Sequence, residues 1–266
     1  MTTRSLAVSN LAWIGGSDDT YLDLLAHEQV DAVEVAPSLV FTGDPAQAPR
    51  GERARYRRRV ESAGLEITGL QSLYFAAPDV QLLGTGSERQ VFVDYSCRMA
   101  DLCADLGGRS LVIGSPNQRR RGHMPKREAM RRAADTLHEL GDHATQRGTY
   151  FTIEALPKSM GADFIHTLEE AAQLVADADS PGVRPHVDTG TTEARFGLPW
   201  PPSELGHVHV SNALAPVGRS SRQQRWADLL DGYGGVVSIE MRASDEDNAR
   251  VLRAAIRDVR AMFACS

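Results

Sequence analysis

Lysine is nearly missing from this 266-residue chain: only Lys126 and Lys158 occur among 29 basic residues, and arginine carries the rest of the positive charge. Acidic residues still outnumber basic ones, giving a net charge of −6 and a pI near 5.8. That balance argues against non-specific binding to nucleic acid or to anionic membranes. Cysteine is scarce too. Cys97, Cys103 and Cys265 have neither metal-ligand nor redox spacing, and their odd number does not suit a disulfide framework. No apolar run approaches the ~20 residues of a membrane span. Behind Arg4 there is no long apolar stretch of the signal-peptide kind. A cytoplasmic protein without a membrane anchor is the expectation. The first strand is not followed by the G-x-G-x-x-G turn of a dinucleotide-binding sheet, which weakens the open, doubly wound alternative.

What is present is regular alternation. Runs of strand character fall at 6–13, 30–36, 65–73, 110–114, 150–156, 183–188, 206–211 and 236–242. Helical patterns fall between them at 20–29, 52–63, 88–106, 126–147, 168–176 and 226–230, and a last helix is expected over 245–263. Arg53, Arg55, Arg57, Arg58 and Arg59 form a solvated helix face rather than a nucleic-acid patch. A strand–helix pitch of roughly 30 residues, without linker or low-complexity segment, is the pattern of parallel βαβ units. About eight such units predict one α/β domain over residues 1–266, a single (β/α)8 barrel, whose active site lies at the C-terminal ends of its strands.

Four of those ends carry good metal ligands. Strand alternation puts His186 and Asp188 of the stretch 185–190 on one face, away from Val183 and Val187. Glu154 ends the fifth strand, His209 lies near the end of the seventh, and Glu240 near the end of the eighth. Any one of them reads plainly as a cap or a rim ion pair. Together, Glu154, Asp188, His209 and Glu240 would crowd carboxylates that repel without a cation. Three oxygens and one nitrogen suit Mn²⁺ best, with Mg²⁺ or Co²⁺ as alternatives, rather than a thiolate-rich structural zinc site. His207 shares the face of His209 and is expected one layer down, packed and hydrogen-bonded. His186 is expected to orient a ligand or touch substrate.

The order of several motifs along the chain resembles the sugar phosphate isomerase/epimerase-like (xylose isomerase-like) barrels. The resemblance rests on SNLAW at 9–13, VEVAPS at 33–38, GLQSLYF at 69–75, GSPNQRRRG at 114–122 and IEALPKSMGADF at 153–164, then HVDTG at 186–190, HVHVS at 207–211 and GYGGVVSIEMR at 232–242. It implies that Glu154, Asp188, His209 and Glu240 bind a divalent ion. It also implies that Glu154 and Glu240 are catalytic, moving a proton between adjacent carbons of a small sugar, sugar acid or sugar phosphate through an enediolate. Members often form dimers or tetramers, so a homo-oligomer is possible. The chain departs from the 3-epimerase pattern at substrate-holding positions. Thr191 stands where a histidine is usual, Ala215 where an arginine is usual, and Asn212 where an acid is common, while Lys158, Ser159 and Met160 follow Glu154 in place of a further glutamate.

Replacement anchors are expected at Glu34 and Gln71, which could hydrogen-bond hydroxyls, and at Lys158, Arg242 and the 119–121 arginines, Arg120 among them, which could hold an anion. His186 is a further substrate contact, and Asn10 and Trp13 are expected on the site floor. Two rival functions use the same fold. A lyase, of the inosose or dehydroshikimate dehydratase kind, would also begin by removing a proton beside a carbonyl, but would need an acid such as His186 or Lys158 over its leaving group. A non-catalytic binding protein would explain the missing substrate anchors but not the four ligands. An endonuclease-IV-like role fits poorly, because it needs more histidines and a less acidic chain.

Overall fold

The computed structural model describes residues 4–193, 197–242 and 247–265. Eight parallel strands close on themselves in sequence order, β1 Ser5–Ser9, β2 Ala32–Val35, β3 Glu66–Leu70, β4 Ser110–Ile113, β5 Tyr150–Ile153, β6 Val183–Asp188, β7 His207–Ser211 and β8 Val236–Glu240. β8 pairs with β1 through Ser5–Val236 to Val8–Ile239, which completes the barrel. The single-barrel expectation holds.

The outer layer consists of α1 Asp18–His27, α2 Arg50–Ser62, α3 Ser87–Leu106, α4 Lys126–Gln146, α5 Leu168–Ala178, α6 Ser221–Leu229 and α7 Asn248–Phe263. Among the described residues no α-helix joins β6 to β7. That connection contains a single turn of 3-10 helix at Pro202–Glu204, in a segment whose three prolines, Pro199, Pro201 and Pro202, each remove a backbone donor. Two boundaries differ from expectation. Residues 10–13 leave the first strand for a 3-10 turn capped by the Ser9 hydroxyl, and the sixth helix begins at Ser221 rather than Trp226. Asp245, where the last helix was expected to begin, lies outside the described residues.

Strand alternation divides the side chains between two cores. Phe151, Ile153, Val187, Val208, Val210, Val237 and Ile239 are buried toward the helices with Leu102, Leu137, Leu140, Ile256 and Val259. This is the continuous apolar layer expected of a sheet covered by helices. The other face is unusually polar for a barrel interior, which is ordinarily filled by branched aliphatics. Glu34, Ser110, Thr152, His186, His207, His209 and Ser238 are all at 0–1% exposure. Register places His186 beside His207, Asp188 beside His209, and Ser211 beside Glu240, so polar positions stack at matching heights.

Three arginines of the α2 face have acidic partners. Arg53 binds Asp105, Arg57 binds Glu61, and Arg59 binds Asp18 and Asp19. Cys103 and Cys265 are buried free thiols and Cys97 is half-buried. No described helix is long and apolar enough to cross a membrane.

Candidate metal centre

A cavity of about 210 Å³ opens at the C-terminal ends of the strands. Glu154, Asp188, His209 and Glu240 all line it, so the fold brings the four expected ligands to one place. Asp188, His209 and Glu240 form the tight part: each offers an atom within 4.8 Å of the others. Glu154 lines the same space without meeting that mutual distance.

Each side chain is placed by its neighbours. Asp188 Oδ1 accepts from the Gly190 and Thr191 amides at 2.6 and 3.1 Å and from the Ser211 hydroxyl at 2.7 Å. Those three donors fix the carboxylate and leave Oδ2 buried without a partner. Gly190 is required here because a Cβ would overlap the Ser211 hydroxyl and the Ala213 amide. Gly114, at the end of β4, serves Glu154 likewise, since a Cβ there would occupy the position of its carboxylate. Below the cavity, His209 Nε2 donates to both Glu34 oxygens at 2.9 and 3.0 Å, and the Ser238 hydroxyl donates to Glu34 at 2.6 Å. His209 Nδ1 is thereby turned toward the cavity, buried and without a hydrogen-bond partner, 3.7 Å from a Glu240 oxygen.

Electrostatics separates the carboxylates. Burial, and then the Asp188 charge, raises Glu154 to about 7. Burial lifts Glu240 well above the usual carboxylate range, and Asp188 and Glu154 add to this against the pull of His209. Glu34 behaves oppositely: burial alone would raise it, but the His209 and His207 rings outweigh burial and hold it well below its ordinary value. Burial alone would keep His209 neutral, yet Glu34 and Glu240 raise it to about 10.

A divalent cation fits the upper set on the evidence of its donors. Asp188 Oδ2 and His209 Nδ1 are buried atoms that lack partners, and a cation beside them would satisfy both. A second grouping, Glu34, His207 and His209, is close enough to hold an ion. Glu34 already accepts from His209 and Ser238 there, while His207 Nε2 lies 3.1 Å from Glu34 without a hydrogen bond of its own. We read it as the support that sets the His209 tautomer, in the manner of carboxylate partners behind metal-binding histidines.

Several expected substrate contacts lie away from the cavity lining. Glu34 is fully buried beneath His209 and does not reach the cavity. His186 is fully buried, with its ring edge-on to His209 at 4.6 Å and neither nitrogen hydrogen-bonded. Burial first, then His209 and His207, keeps it well below the ordinary imidazole value. Lys158 is exposed and lines a separate hollow with Arg121, Lys126 and Asp163. Arg120 is exposed and bonds Asn117. Arg242 is exposed, and its backbone amide donates to the Leu214 carbonyl. Asn10 accepts from the Ala36 amide and Trp13 donates to Asp18 while stacking on Tyr21, so neither forms the floor. Gln71 does line the cavity.

Sequence reasoning did not single out Ser211 and Ser238, which position Asp188 and Glu34. The only signal was their register, small polar residues at inward strand positions. It also did not separate Arg119 from its neighbours. Arg119 is buried, donates from Nη1 to the Glu154 carbonyl at 2.6 Å, and is lowered to about 10 by burial.

The fold and the site define an eight-stranded barrel with an acidic, ligand-rich cavity at the C-terminal ends of its strands. The family model described as xylose isomerase-like TIM barrel matches residues 22–261, and the chain belongs to that family. No curated protein matches the sequence. Solved structures share its architecture at low identity. The D-psicose 3-epimerase of Clostridium cellulolyticum H10 is 16% identical with a TM-score of 0.81, over 98% of this chain and 100% of its own. The 3-keto-D-glucoside 4-epimerase of E. coli is 18% identical with a TM-score of 0.77, over 97% and 100%. An L-ribulose 3-epimerase is 18% identical with a TM-score of 0.73, over 98% and 94%. At these identities the likeness is one of fold.

Proposed function

We propose that this protein is a divalent-metal-dependent isomerase or epimerase that moves a proton between adjacent carbons of a small carbohydrate. The observation that carries the reading is the convergence, in one small cavity, of unpartnered Asp188 Oδ2 and His209 Nδ1 with Glu154 and Glu240. The solved structures of similar fold named as sugar epimerases agree with it.

Asp188, His209 and Glu240 would hold the ion, with Glu154 completing the set. A divalent cation held there would supply positive charge that favours loss of a proton beside a carbonyl. The chain's own contribution is proton handling. Glu154, which lines the cavity beside the ligand atoms, would take the proton. Glu240 faces the same cavity and would return it, on the same or the opposite side of the carbon. Asp188 is held still by its three donors and His209 by Glu34, so the two ligands are preorganised. Mn²⁺ fits the donor set best. The lyase alternative draws less support, because neither His186 nor Lys158 lines the cavity.

The test is Mn²⁺ binding by calorimetry on wild type and on Glu154→Gln, Asp188→Asn and Glu240→Gln, followed by solvent deuterium incorporation into a panel of ketoses. Stoichiometric binding lost in the Asp188 and Glu240 variants, with exchange lost in the Glu154 variant, is the expected result. Absence of Mn²⁺ binding in wild type would overturn the reading.

A further inference from the structure

The lining of the cavity narrows the substrate, an argument that rests on the proposed function and deepens it. Three carboxylates line it, and among the described lining residues there is no lysine or arginine. The cations nearest in sequence lie outside the lining: Lys158 and Arg242 are exposed, and the arginines after β4 have partners of their own. Arg121 donates to Asp163 and Met124 carbonyls, Arg120 to Asn117, and Arg119 is buried on the Glu154 carbonyl. A divalent ion leaves three carboxylates incompletely neutralised, so a phosphate or carboxylate on the substrate would enter against like charge. An arginine fork or lysine is the ordinary answer to such an anion, and none faces this space.

The remaining wall is mixed, with Gln71, Ser72, Ser115 and Thr191 on it, and its apolar part is a distinct patch. Leu156 and Met160 from the loop after β5, and Leu214 from the loop after β7, line the cavity together with Pro116. Met160 is 39% exposed, a large apolar side chain at an open mouth. Leu214 is held there at backbone expense. Ala213 and Leu214 are successive non-glycine residues at φ 48° and 70°, each costing on the order of 1 kcal/mol. Two bonds hold that turn, Arg242 N–H to the Leu214 carbonyl at 2.8 Å and Ala215 N–H to the Asn212 carbonyl at 3.0 Å. Strain maintained at a site mouth points to use of the residue it presents. Of the five exposed large hydrophobic side chains among the described residues, Ile14, Leu39, Phe75 and Met160 all sit on loops that follow strands, the end where the cavity opens.

We infer that the substrate is uncharged and carries an apolar group, an aglycone or alkyl substituent, that packs against Leu156, Met160 and Leu214 while its oxygens face the carboxylate–histidine cluster. The leucines and the methionine then determine specificity where the epimerase-like pattern has polar anchors.

Calorimetry on the Mn²⁺-loaded protein tests this with four probes: methyl and phenyl 3-keto-β-D-glucopyranosides, D-fructose and D-fructose 6-phosphate. The phenyl glycoside should bind about ten-fold or more tighter than the methyl glycoside, as burial of the ring predicts. D-fructose 6-phosphate should bind more weakly than D-fructose. In Met160→Ser combined with Leu214→Ser the phenyl advantage should fall to about two-fold or less, with Mn²⁺ stoichiometry retained to show an intact cluster. Equal binding of the two glycosides, tighter binding of the phosphate than of D-fructose, or no binding of any probe overturns the inference. Failure of the metal reading is separate, because it would appear first as absence of Mn²⁺ binding.

Discussion

The two nitrogens of His209 face two clusters made of the same residue types with opposite character. Below the ring, the single carboxylate of Glu34 receives His209 Nε2 and the Ser238 hydroxyl, with His207 at 3.1 Å, and stays ionised well below its ordinary range. Above it, Asp188, Glu154 and Glu240 share one imidazole. Two polar atoms go without partners, and two of the carboxyls are pushed upward by burial and one another. Burial is similar in both places, so the ratio of donors to carboxylates decides the outcome. The lower cluster has its carboxylate fully supplied with donors and leaves only His207 Nε2 without a hydrogen bond. The upper one holds unrelieved charge that a cation would neutralise, the usual trade of stability for function.

That contrast predicts opposite signs for two neutralising substitutions. Glu34→Leu should destabilise the fold by about 3–5 kcal/mol, because His209 and Ser238 lose their shared acceptor and His207 loses its neighbouring carboxylate. The loss should appear as a lower urea midpoint at unchanged m. Glu240→Gln should raise the stability of the metal-free protein at pH 8, since it removes a carboxylate that folding makes costly to ionise. The same change should weaken Mn²⁺ binding by about 100-fold or more. If both variants were destabilised alike, the distinction between a satisfied and an unsatisfied cluster would fail.

The pH dependence sharpens the same comparison. Glu154 has an ordinary value of 4.5 and is raised to about 7 in the fold. Below 4.5 it is protonated folded or unfolded and contributes no penalty. As pH rises through about 7 the folded protein must ionise it, so its contribution to metal-free stability falls across that window. Added Mn²⁺ should therefore raise Tm more at pH 8 than at pH 5.5, and Glu154→Gln should flatten the metal-free profile. A thermal shift that shrank toward pH 8 would contradict the placement of Glu154 in the upper cluster.

The sequence carried the barrel and the four ligand candidates because both are periodic. Alternation of strand and helix exposes the architecture, and alternation within strands puts Asp188, His209 and Glu240 on the inner face. Height along the axis was harder to read. Glu34 sits inward like the ligands, but its strand pairs Glu34 with Ser9 on one side and, after a register shift, with Gly69 on the other. It ends a layer lower than an anchor needs to be. Loop cations were least legible, because Arg119, Arg120 and Arg121 are consecutive and only the turn at Asn117–Arg119 decides which one points inward. Leu214 reached the cavity through a left-handed backbone that its residue type does not announce.

The consecutive arginines give the smallest effects and the finest test. Arg120 is exposed, and its only described partner is Asn117. Lys158 is exposed in its own hollow. Arg120→Ala and Lys158→Ala should each change stability by less than about 0.5 kcal/mol and leave the Mn²⁺ affinity within about two-fold. Arg119→Met should do more, because the freed Glu154 carbonyl and the loss of a buried guanidinium loosen the end of β5 beneath a cavity-lining carboxylate. Its cost should be about 1–3 kcal/mol in urea unfolding. Equal, small effects for all three would mean that the inward turn of Arg119 contributes nothing to holding Glu154. A large effect from Arg120 or Lys158 alone would mean that an exposed cation swings into the cavity, which would restore the charged substrate that the lining argues against.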